Sequence, residues 1–247
     1  MELVVLGAGP SYTDRPGAIG ASYLLREGDA TLVLDLGQGA FPNLAGAVEP
    51  SRVTGIMISH LHPDHFIDLV ALRHYLRYEF TPPRRMTVLG PADLGSRLDA
   101  LHAEPGFAAA VLDLVPVGGP SVHQVGPFTV EAGLVTHTAE SYAYRVTAGH
   151  SSLVYTGDCG RADDLAHLLH AGDTLLSEVS FGPADVPPGA NHLNADAVGA
   201  LAAARQPGRV LLTHIQMGFD RDQTLAIVRG HFAGSVELVD PGDRFTV

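Results

Sequence analysis

Lysine and tryptophan are absent from this 247-residue chain, which has a single cysteine, Cys159. One cysteine excludes an internal disulfide and favours a reducing compartment, so we expect a cytoplasmic protein. The 15 basic residues are all arginine and are outnumbered by 27 acidic residues, which gives a net charge of −12. Proteins that bind large nucleic acids usually present a basic face, so such a partner is not expected. A small anionic substrate remains compatible with this composition.

Long hydrophobic runs, linkers and low-complexity segments are also missing. No apolar run approaches the length that a membrane span requires, and no membrane partner is expected. The N-terminal segment 1–6 lacks the positive start and long apolar stretch of a signal peptide, and it predicts a first strand. Hydrophobic residues make up 46% and charged residues 17% of the chain, as in globular proteins. We therefore expect residues 1–247 to form a single domain.

The most informative segment is the six-residue stretch His60-Leu-His-Pro-Asp-His65, which follows an apolar strand. If that strand continues into the motif, its two-residue period places His60 and His62 on the same side. Pro63 suits the turn into a helix that opens with Asp64 and His65. Imidazole and carboxylate groups suit zinc and similar divalent ions. A histidine-rich surface turn is the alternative, but four potential ligands in six residues favour a site for two metals.

This motif resembles the signature of the metallo-β-lactamase fold, a large superfamily of metallohydrolases. By resemblance, one metal would be held by three histidines, His60, His62 and His137. The other metal would be held by Asp64, His65 and His214, with Asp158 bridging the two ions. The resemblance thus implies two divalent ions per chain, zinc or manganese, and it extends from Leu6 to the C-terminus. We also expect Asp64 to be a catalytic residue.

Each of two residues near predicted strand ends can be interpreted either as a functional residue or as a structural one. Asp35 is either a turn residue or, by resemblance, a buried acceptor that steadies the metal site. Cys159 follows the bridging Asp158, but the ligand set is complete without it, so we interpret it as a small packed side chain.

Alternation of strands and helices in each half predicts an α/β protein with two mixed sheets packed together and helices on the outer faces. This architecture is the αββα sandwich that the resemblance implies. The predicted strands are 2–7, 20–26, 31–36, 53–59, 86–90, 128–136, 142–147, 152–156, 174–179, 209–213 and 235–239. The predicted helices are 64–77, 92–103, 161–171, 194–205 and 219–232. Glycine and proline in 104–120 predict an irregular segment.

Two further segments resemble the tRNase Z branch of the superfamily. Glu178 ends a predicted strand, and His192 precedes a helix for which Asn194 is a suitable N-cap. In that branch a strand-end glutamate pairs with a histidine that protonates or binds the phosphodiester. The alternative is that Glu178 is a solvated strand end and His192 an ordinary loop residue.

The long arm with which tRNase Z enzymes grip tRNA has no counterpart here. In those enzymes the arm lies between the third metal histidine and the bridging aspartate, where this chain has only residues 138–157. The chain therefore resembles arm-less bacterial relatives, which include an actinobacterial cyclic-nucleotide phosphodiesterase. Relatives often dimerise, so a homodimer is compatible with the resemblance.

These features predict a hydrolase that cleaves a small phosphodiester, a nucleotide or a cyclic nucleotide, with a hydroxide shared by two metals. His192 would protonate the leaving oxygen, and Glu178 would orient its ring and favour its protonated form. Arg73, Arg77 and Arg145 are candidates for substrate contact, with plain surface positions as the alternative.

Two other functions remain open at this point. The same metals would serve a carboxylic ester, thioester or lactone hydrolase, a reaction that does not require the Glu178–His192 pair. A metal-binding carrier protein without catalytic activity is the other alternative.

Overall fold

The computed structural model describes all 247 residues. Its strands are β1 Glu2–Gly7, β2 Ser22–Glu27, β3 Ala30–Leu34, β4 Gly55–Met57, β5 Met86–Gly90, β6 Leu112–Pro116, β7 Ser121–Val125, β8 Phe128–Leu134, β9 Tyr142–Ala148, β10 Ser151–Tyr155, β11 Thr174–Glu178, β12 Arg209–Thr213, β13 Ser235–Leu238 and β14 Arg244–Thr246. The α-helices are α1 Ala40–Ala47, α2 Pro63–Phe66, α3 Leu69–Tyr78, α4 Leu94–His102, α5 Ala195–Arg205 and α6 Arg221–His231. Short 3-10 helices occupy Pro50–Arg52 and Ala162–Leu165.

The strands form two seven-stranded sheets, ordered β14-β1-β2-β3-β4-β5-β6 and β13-β12-β11-β10-β9-β8-β7. Each sheet is mixed. In the first, β14 to β3 pair antiparallel and β3 to β6 pair parallel. In the second, β7 to β10 pair antiparallel and β10 to β13 pair parallel. This architecture confirms the predicted αββα sandwich of two mixed sheets.

Hydrophobic residues of opposite strand faces enter different cores. In β1, Leu3 and Val5 belong to a core of 24 buried residues drawn from both sheets. Their neighbours Val4 and Leu6 belong to a second core, which also contains residues of α1, α3 and α4. A third core joins the second sheet to α5 and α6. The two-residue period of a strand thus places one side chain between the sheets and the next beneath a helix.

The predicted helix 64–77 is wrong in one respect, because the chain forms two helices, α2 and α3, with a break at Ile67 and Asp68. The cause is a pair of contacts with the loop after β3. Leu36 N–H donates to the carbonyl of His65 at 2.7 Å, and Asp68 N–H donates to the carbonyl of Leu36 at 3.1 Å. Those groups are therefore engaged outside the helix and do not continue its hydrogen-bond ladder.

Three edge strands and two helices also differ from the predictions, and one of these helices is α1, which was not predicted. Residues 112–116, predicted as irregular, form β6, and the unpredicted strands β7 and β14 extend the sheets at 121–125 and 244–246. Most residues of these three strands are exposed or half-buried, so their sequences carry only a weak hydrophobic pattern. The predicted helix 161–171 is only a 3-10 helix followed by turns, since several of its hydrogen bonds span three residues rather than four.

None of the helices has the length and apolar character needed to cross a lipid bilayer. The single-domain organisation of residues 1–247 stays a prediction.

Candidate metal centre

The seven predicted metal ligands lie together at the edge of the sandwich where several strands of both sheets end. His60 and His62 follow β4, His137 follows β8, Asp158 follows β10 and His214 follows β12. Asp64 and His65 lie in α2. Five of the seven are buried, His137 is half-buried and His62 is exposed. Crevices at the carboxyl ends of strands are common ligand sites in α/β proteins, because loops from several strands converge there.

The ligand atoms form two adjacent groups, each compact enough for one ion. One group contains His60, His62, His137 and Asp158, and the other contains Asp64, His65 and His214. Within each group, the nitrogen and oxygen atoms that face one another lie within 4.8 Å.

Asp158 lies between the groups and presents one carboxylate oxygen to each. Its Oδ2 is 3.7 Å from Nε2 of His60 and 3.7 Å from Nε2 of His137. Its Oδ1 is 3.4 Å from Nε2 of His65 and 3.7 Å from Nε2 of His214. This is the position that a bridging carboxylate requires.

Hydrogen bonds on the far side of the rings determine which nitrogen faces the site. His137 Nδ1 lies 2.8 Å from the carbonyl of Asn191, and His65 Nδ1 lies 2.7 Å from Oδ2 of Asp35. Both partners only accept, so each Nδ1 carries the proton and donates it. In the neutral ring, Nε2 then directs a lone pair into the site.

Two buried polar atoms in the site have no hydrogen-bond partner in the protein. Nε2 of His60 and Oδ1 of Asp158 are buried without a hydrogen-bond partner. Nε2 of His65 and Nε2 of His214 also face each other at 3.3 Å, and Nε2 of His214 lies 3.2 Å from Oδ2 of Asp64, so a proton or a cation is needed among these three atoms. Leaving such groups unsatisfied costs about 1–3 kcal/mol each. The residues therefore fit divalent cations, which accept electron pairs from imidazole and carboxylate.

The carboxylates and imidazoles of this site shift one another's pKa values. Burial raises the pKa of Asp158, but the imidazoles of His214 and His65 outweigh it and hold that pKa well below its usual range. Burial lowers the pKa of His65, yet the carboxylates of Asp158 and Asp35 outweigh it and raise that pKa well above its usual range. Burial keeps the pKa of His60 well below its usual range, so its ring stays neutral. A cation would take the place of the protons that compensate Asp158.

The turn before α2 is positioned by a close backbone approach at Gly37. A Cβ atom at this residue would lie 1.9 Å from the carbonyl oxygen of Asp64, so no other residue type fits without movement. This contact helps to place the start of α2, which carries Asp64 and His65, against the loop after β3.

Asp35 is fully buried and accepts four hydrogen bonds around the site. Its Oδ2 accepts from His65 Nδ1 at 2.7 Å, from the Ser59 hydroxyl at 2.7 Å and from the Tyr155 hydroxyl at 2.6 Å. Its Oδ1 accepts from Ser59 N–H at 2.6 Å. The residue has a φ of +58°, a left-handed conformation that costs free energy and that Asp tolerates better than most residues. Asp35 thus orients His65, and it contacts the segment that leads into His60.

Replacing Asp35 with asparagine is expected to weaken metal binding by about 10- to 100-fold, as loss of an outer hydrogen-bond partner usually does. Asparagine tolerates the left-handed backbone, but its amide nitrogen would face groups that donate. Competition with a chromophoric chelator measures the affinity. Asp68→Asn is the matched control, because Asp68 accepts from Phe41 N–H at 2.8 Å and is not one of the proposed ligands. Equal affinities in the two variants would show that Asp35 does not steady the site.

Glu178 and His192 meet beside Asp158, as the sequence suggested. His192 Nδ1 lies 3.0 Å from Oε1 of Glu178 and 3.8 Å from Oδ2 of Asp158. Glu178 is completely buried, and it accepts from the backbone N–H groups of Cys159 and Ser180. This excludes the alternative of a solvated strand end. Burial lowers the pKa of His192, but the hydrogen bond and charge of Glu178 outweigh it and raise that pKa.

Four contacts of the site were not predicted from the sequence. Ser59 and Tyr155 donate to Asp35, Ser180 Oγ lies 3.1 Å from Nδ1 of His214, and the Asn191 carbonyl accepts from His137. Each of these residues lies close in sequence to a predicted site residue. That proximity is the only sequence signal that marks them.

The three candidate arginines make contacts of other kinds. Arg73 is buried, with its guanidinium 4.0 Å from the ring centre of Phe107. Arg77 lies 5.6 Å from the ring centre of Tyr78, on the same helix end. Arg145 is paired with Asp173 and Glu131. These contacts account for the three guanidinium groups without a substrate.

Cys159 is fully buried, and burial raises the pKa of its thiol to about 12. It is therefore unsuited to act as a thiolate ligand or nucleophile at neutral pH.

A profile of the beta-lactamase superfamily domain matches residues 33–215, a span that contains every predicted site residue. The chain belongs to this superfamily. An uncharacterised protein of Mycobacterium leprae is 33% identical over all of this chain and 89% of its own length. The probable metallo-hydrolase YhfI of Bacillus subtilis is 27% identical over 98% of each protein. A ribonuclease Z of Mycolicibacterium paratuberculosis is 27% identical over all of this chain and 98% of its own length.

Solved structures show the same fold. The crystal structure of YhfI from Bacillus subtilis superposes with a TM-score of 0.87 at 24% identity and covers 99% of each chain. Human tRNase Z, short form, gives a TM-score of 0.77 at 20% identity and covers 100% of this chain and 99% of its own. A diphosphatase from the PhnP family gives 0.77 at 16% identity, over 100% of this chain and 97% of its own. Together with the superfamily profile and the relatives named above, this fold identifies the chain as a metallo-hydrolase related to ribonuclease Z.

Proposed function

We propose that this metallo-hydrolase is a phosphodiesterase that acts on a small nucleotide or cyclic nucleotide with two divalent ions, zinc or manganese. The observation that carries the proposal is the Glu178–His192 pair, which lies 3.0 Å apart and directly beside Asp158. Hydrolysis of a carboxylic ester or lactone does not need such a pair. A phosphodiester with an alkoxide leaving group needs a proton donor at this position.

In this proposal each ion would be held by its own group of ligands. His60, His62 and His137 would hold one ion, Asp64, His65 and His214 would hold the other, and Asp158 would bridge them. When bound, such ions make water nucleophilic at neutral pH and offset negative charge on the phosphate oxygens. Nearly all of the other catalytic roles would belong to the side chains around the ions.

His192 is the proton donor in this proposal, and Glu178 is the residue that positions it. Nδ1–H of His192 donates to Oε1 of Glu178, which leaves Nε2 free to face the substrate. In the protonated ring, Nε2 carries a second proton that it donates to the departing oxygen. Because Glu178 is buried and bonded to two backbone N–H groups, it holds the ring in one orientation.

The proposed substrate is small because nothing in the chain matches a tRNA-gripping arm. The segment between His137 and Asp158 contains only β9, β10 and their short connections. The net charge of −12 also opposes a long polyanion. A relative named ribonuclease Z and a structural neighbour named as a diphosphatase both support phosphate chemistry.

Hydrolysis of phosphodiesters is expected to exceed that of lactones and thioesters, and a chelator should abolish it. The test is a screen of metal-loaded protein against bis-p-nitrophenyl phosphate, cyclic nucleotides, short RNA, lactones and thioesters. Elemental analysis should give two ions per chain. Rapid lactone or thioester hydrolysis without phosphodiesterase activity would favour an acyl hydrolase. Tight metal binding with no hydrolysis at all would favour a carrier protein.

We also propose a cytoplasmic location, supported by the single cysteine, Cys159, which is buried and free. A homodimer is a further proposal, which sedimentation of the purified protein tests.

A further inference from the structure

An aromatic wall lies beside the proton donor, and nothing in the proposed reaction uses it. The wall consists of Phe181 and Phe219, whose ring centres are 5.8 Å apart. The ring centre of Phe181 is 6.1 Å from that of His192. Both phenylalanines are only half-buried, and the neighbouring Met217 is 47% exposed. The wall therefore offers an apolar face at the margin of a polar site.

The two loops that carry the wall are held to the site by hydrogen bonds. Phe181 N–H donates to the carbonyl of Leu193 at 3.1 Å, next to His192. Gln216 N–H donates to the carbonyl of Ser180 at 3.1 Å, which joins the loop after β11 to the loop after β12. The wall thus has a defined position relative to the site.

Gly182 allows the two loops to approach each other closely. It has a φ of +46°, and a Cβ atom there would lie 2.9 Å from Cβ of Phe219. Because this residue has no side chain, Phe219 can pack directly against the loop that carries Phe181. The backbone thus fixes the positions from which the two rings extend, which suits a preformed binding surface.

The flank of the metal centre beside His62 is different in character. A cavity of about 240 Å³ adjoins His62, and it is lined by Leu61, Pro91, Asp93, Arg97, Thr138, Ala139 and Glu140. It contains one guanidinium and two carboxylates, but no Phe or Tyr ring. Of the two flanks, only the one beside His192 thus offers an aromatic face to a flat ring.

We propose that the aromatic wall binds the nucleobase of the substrate, on the side of the leaving group. This inference rests on the proposed phosphodiesterase function, because His192 marks where the leaving oxygen must lie. The nucleoside attached to that oxygen then extends from His192 towards Phe181. A purine or pyrimidine stacks on phenyl rings through its π face, with little dependence on which base it is.

A matched pair of substrates isolates the contribution of the base. One is adenosine 3′,5′-cyclic monophosphate, and the other is the same cyclic ribose phosphate without a base. Stacking on the wall is expected to give the base-bearing substrate an advantage of about tenfold or more in kcat/KM. Phe181→Leu and Phe219→Leu keep apolar volume but lose the ring, so each should reduce this advantage about three- to tenfold. Their rates on the base-free substrate should stay near that of the unmodified protein.

Two kinds of control separate stacking from packing. The tyrosine variants at both positions retain a ring and should keep the advantage. Phe80→Leu removes another half-buried ring, which contacts Tyr75 and Arg84 away from the site, and should change neither rate. If the leucine variants lose the same factor on both substrates, the rings only support the loops and the inference is wrong.

Binding of adenosine gives a readout that does not depend on catalysis. Adenosine has no phosphate, so its contact with the metal-loaded protein reports on base recognition alone. Saturation-transfer NMR should show transfer to the base protons, with a clear loss in both leucine variants and retention in Phe80→Leu. Adenosine transfer without any phosphodiesterase activity would retain the wall and overturn the proposed function. Phosphodiesterase activity with no advantage for the base-bearing substrate and no saturation transfer to adenosine would overturn the aromatic wall and retain the proposed function.

Discussion

Replacing Asp158 with alanine is expected to disturb both metal ions at once and to lower the hydrolysis rate by about a thousandfold or more. The reason is geometric, because one oxygen of this carboxylate faces His60 and His137 and the other faces His65 and His214. Loss of any other ligand leaves one group complete. Elemental analysis should therefore show a larger loss of metal in Asp158→Ala than in His62→Ala.

The matched control is Asp173→Asn. Asp173 is also a buried carboxylate, but it is bound by Arg145 and by the backbone N–H of His170 and is not one of the proposed ligands. This variant should unfold at a lower temperature yet retain two ions per chain. If Asp158→Ala keeps its full metal content and rate, Asp158 does not bridge the ions.

Replacing His192 with alanine is expected to slow hydrolysis, and the loss of rate should be larger for substrates with poorer leaving groups. A ribose alkoxide needs a proton, so the variant should hydrolyse a cyclic nucleotide about a hundredfold more slowly or worse. p-Nitrophenolate leaves without help, so the loss on bis-p-nitrophenyl phosphate should be much smaller. Metal content should not change, since His192 is not a proposed ligand. Glu178→Gln should show the same pattern more mildly, because it disturbs only the orientation and proton affinity of the ring.

The pH profile provides a second measure of the same role. Glu178 raises the pKa of His192 against the effect of burial, so the protonated ring persists to a higher pH than in an ordinary histidine. The rate on a cyclic nucleotide should fall as the pH rises through that pKa. In Glu178→Gln this fall should begin at a lower pH.

His231→Ala is the matched control for these variants. His231 also pairs with a carboxylate, at 2.9 Å from Asp196, but on the exposed surface of α5 and α6. It should leave both rates unchanged. Equal losses on the two substrates in His192→Ala would indicate a role in binding or folding, and His192 would then not be the proton donor.

Part of the fold was predictable because its signals are local. Buried central strands such as β1, β5 and β12 are short apolar runs between turn residues, and their positions agree with the prediction. The helix α5 begins after Asn194, whose side chain accepts from Ala197 N–H, as its N-cap position suggested. The edge strands β6, β7 and β14 were missed because each depends on its neighbouring strand more than on its own residues.

The candidate site likewise has a part that local sequence predicts and a part that depends on tertiary contacts. The segment from His60 to His65 supplies four of the seven ligand groups, so their chemistry can be recognised from the sequence without knowledge of the fold. The break between α2 and α3 was not readable, because it arises from hydrogen bonds between the segment and Leu36, about thirty residues earlier. The left-handed backbone of Asp35 and of His214 likewise comes from the tertiary contacts at the site.

The sequence by itself determined the superfamily, the fold class and the chemical types of the groups that gather at the site. Strand periodicity and the spacing of the His60–His65 motif are local properties, and local properties are carried by consecutive residues. Only the tertiary structure gave the distances from Asp158 to both groups of ligands, the burial of Glu178 against His192, and the position of Phe181 and Phe219 beside it. Those relations join residues that are far apart in the chain, so they exist only where the ends of strands from two sheets meet.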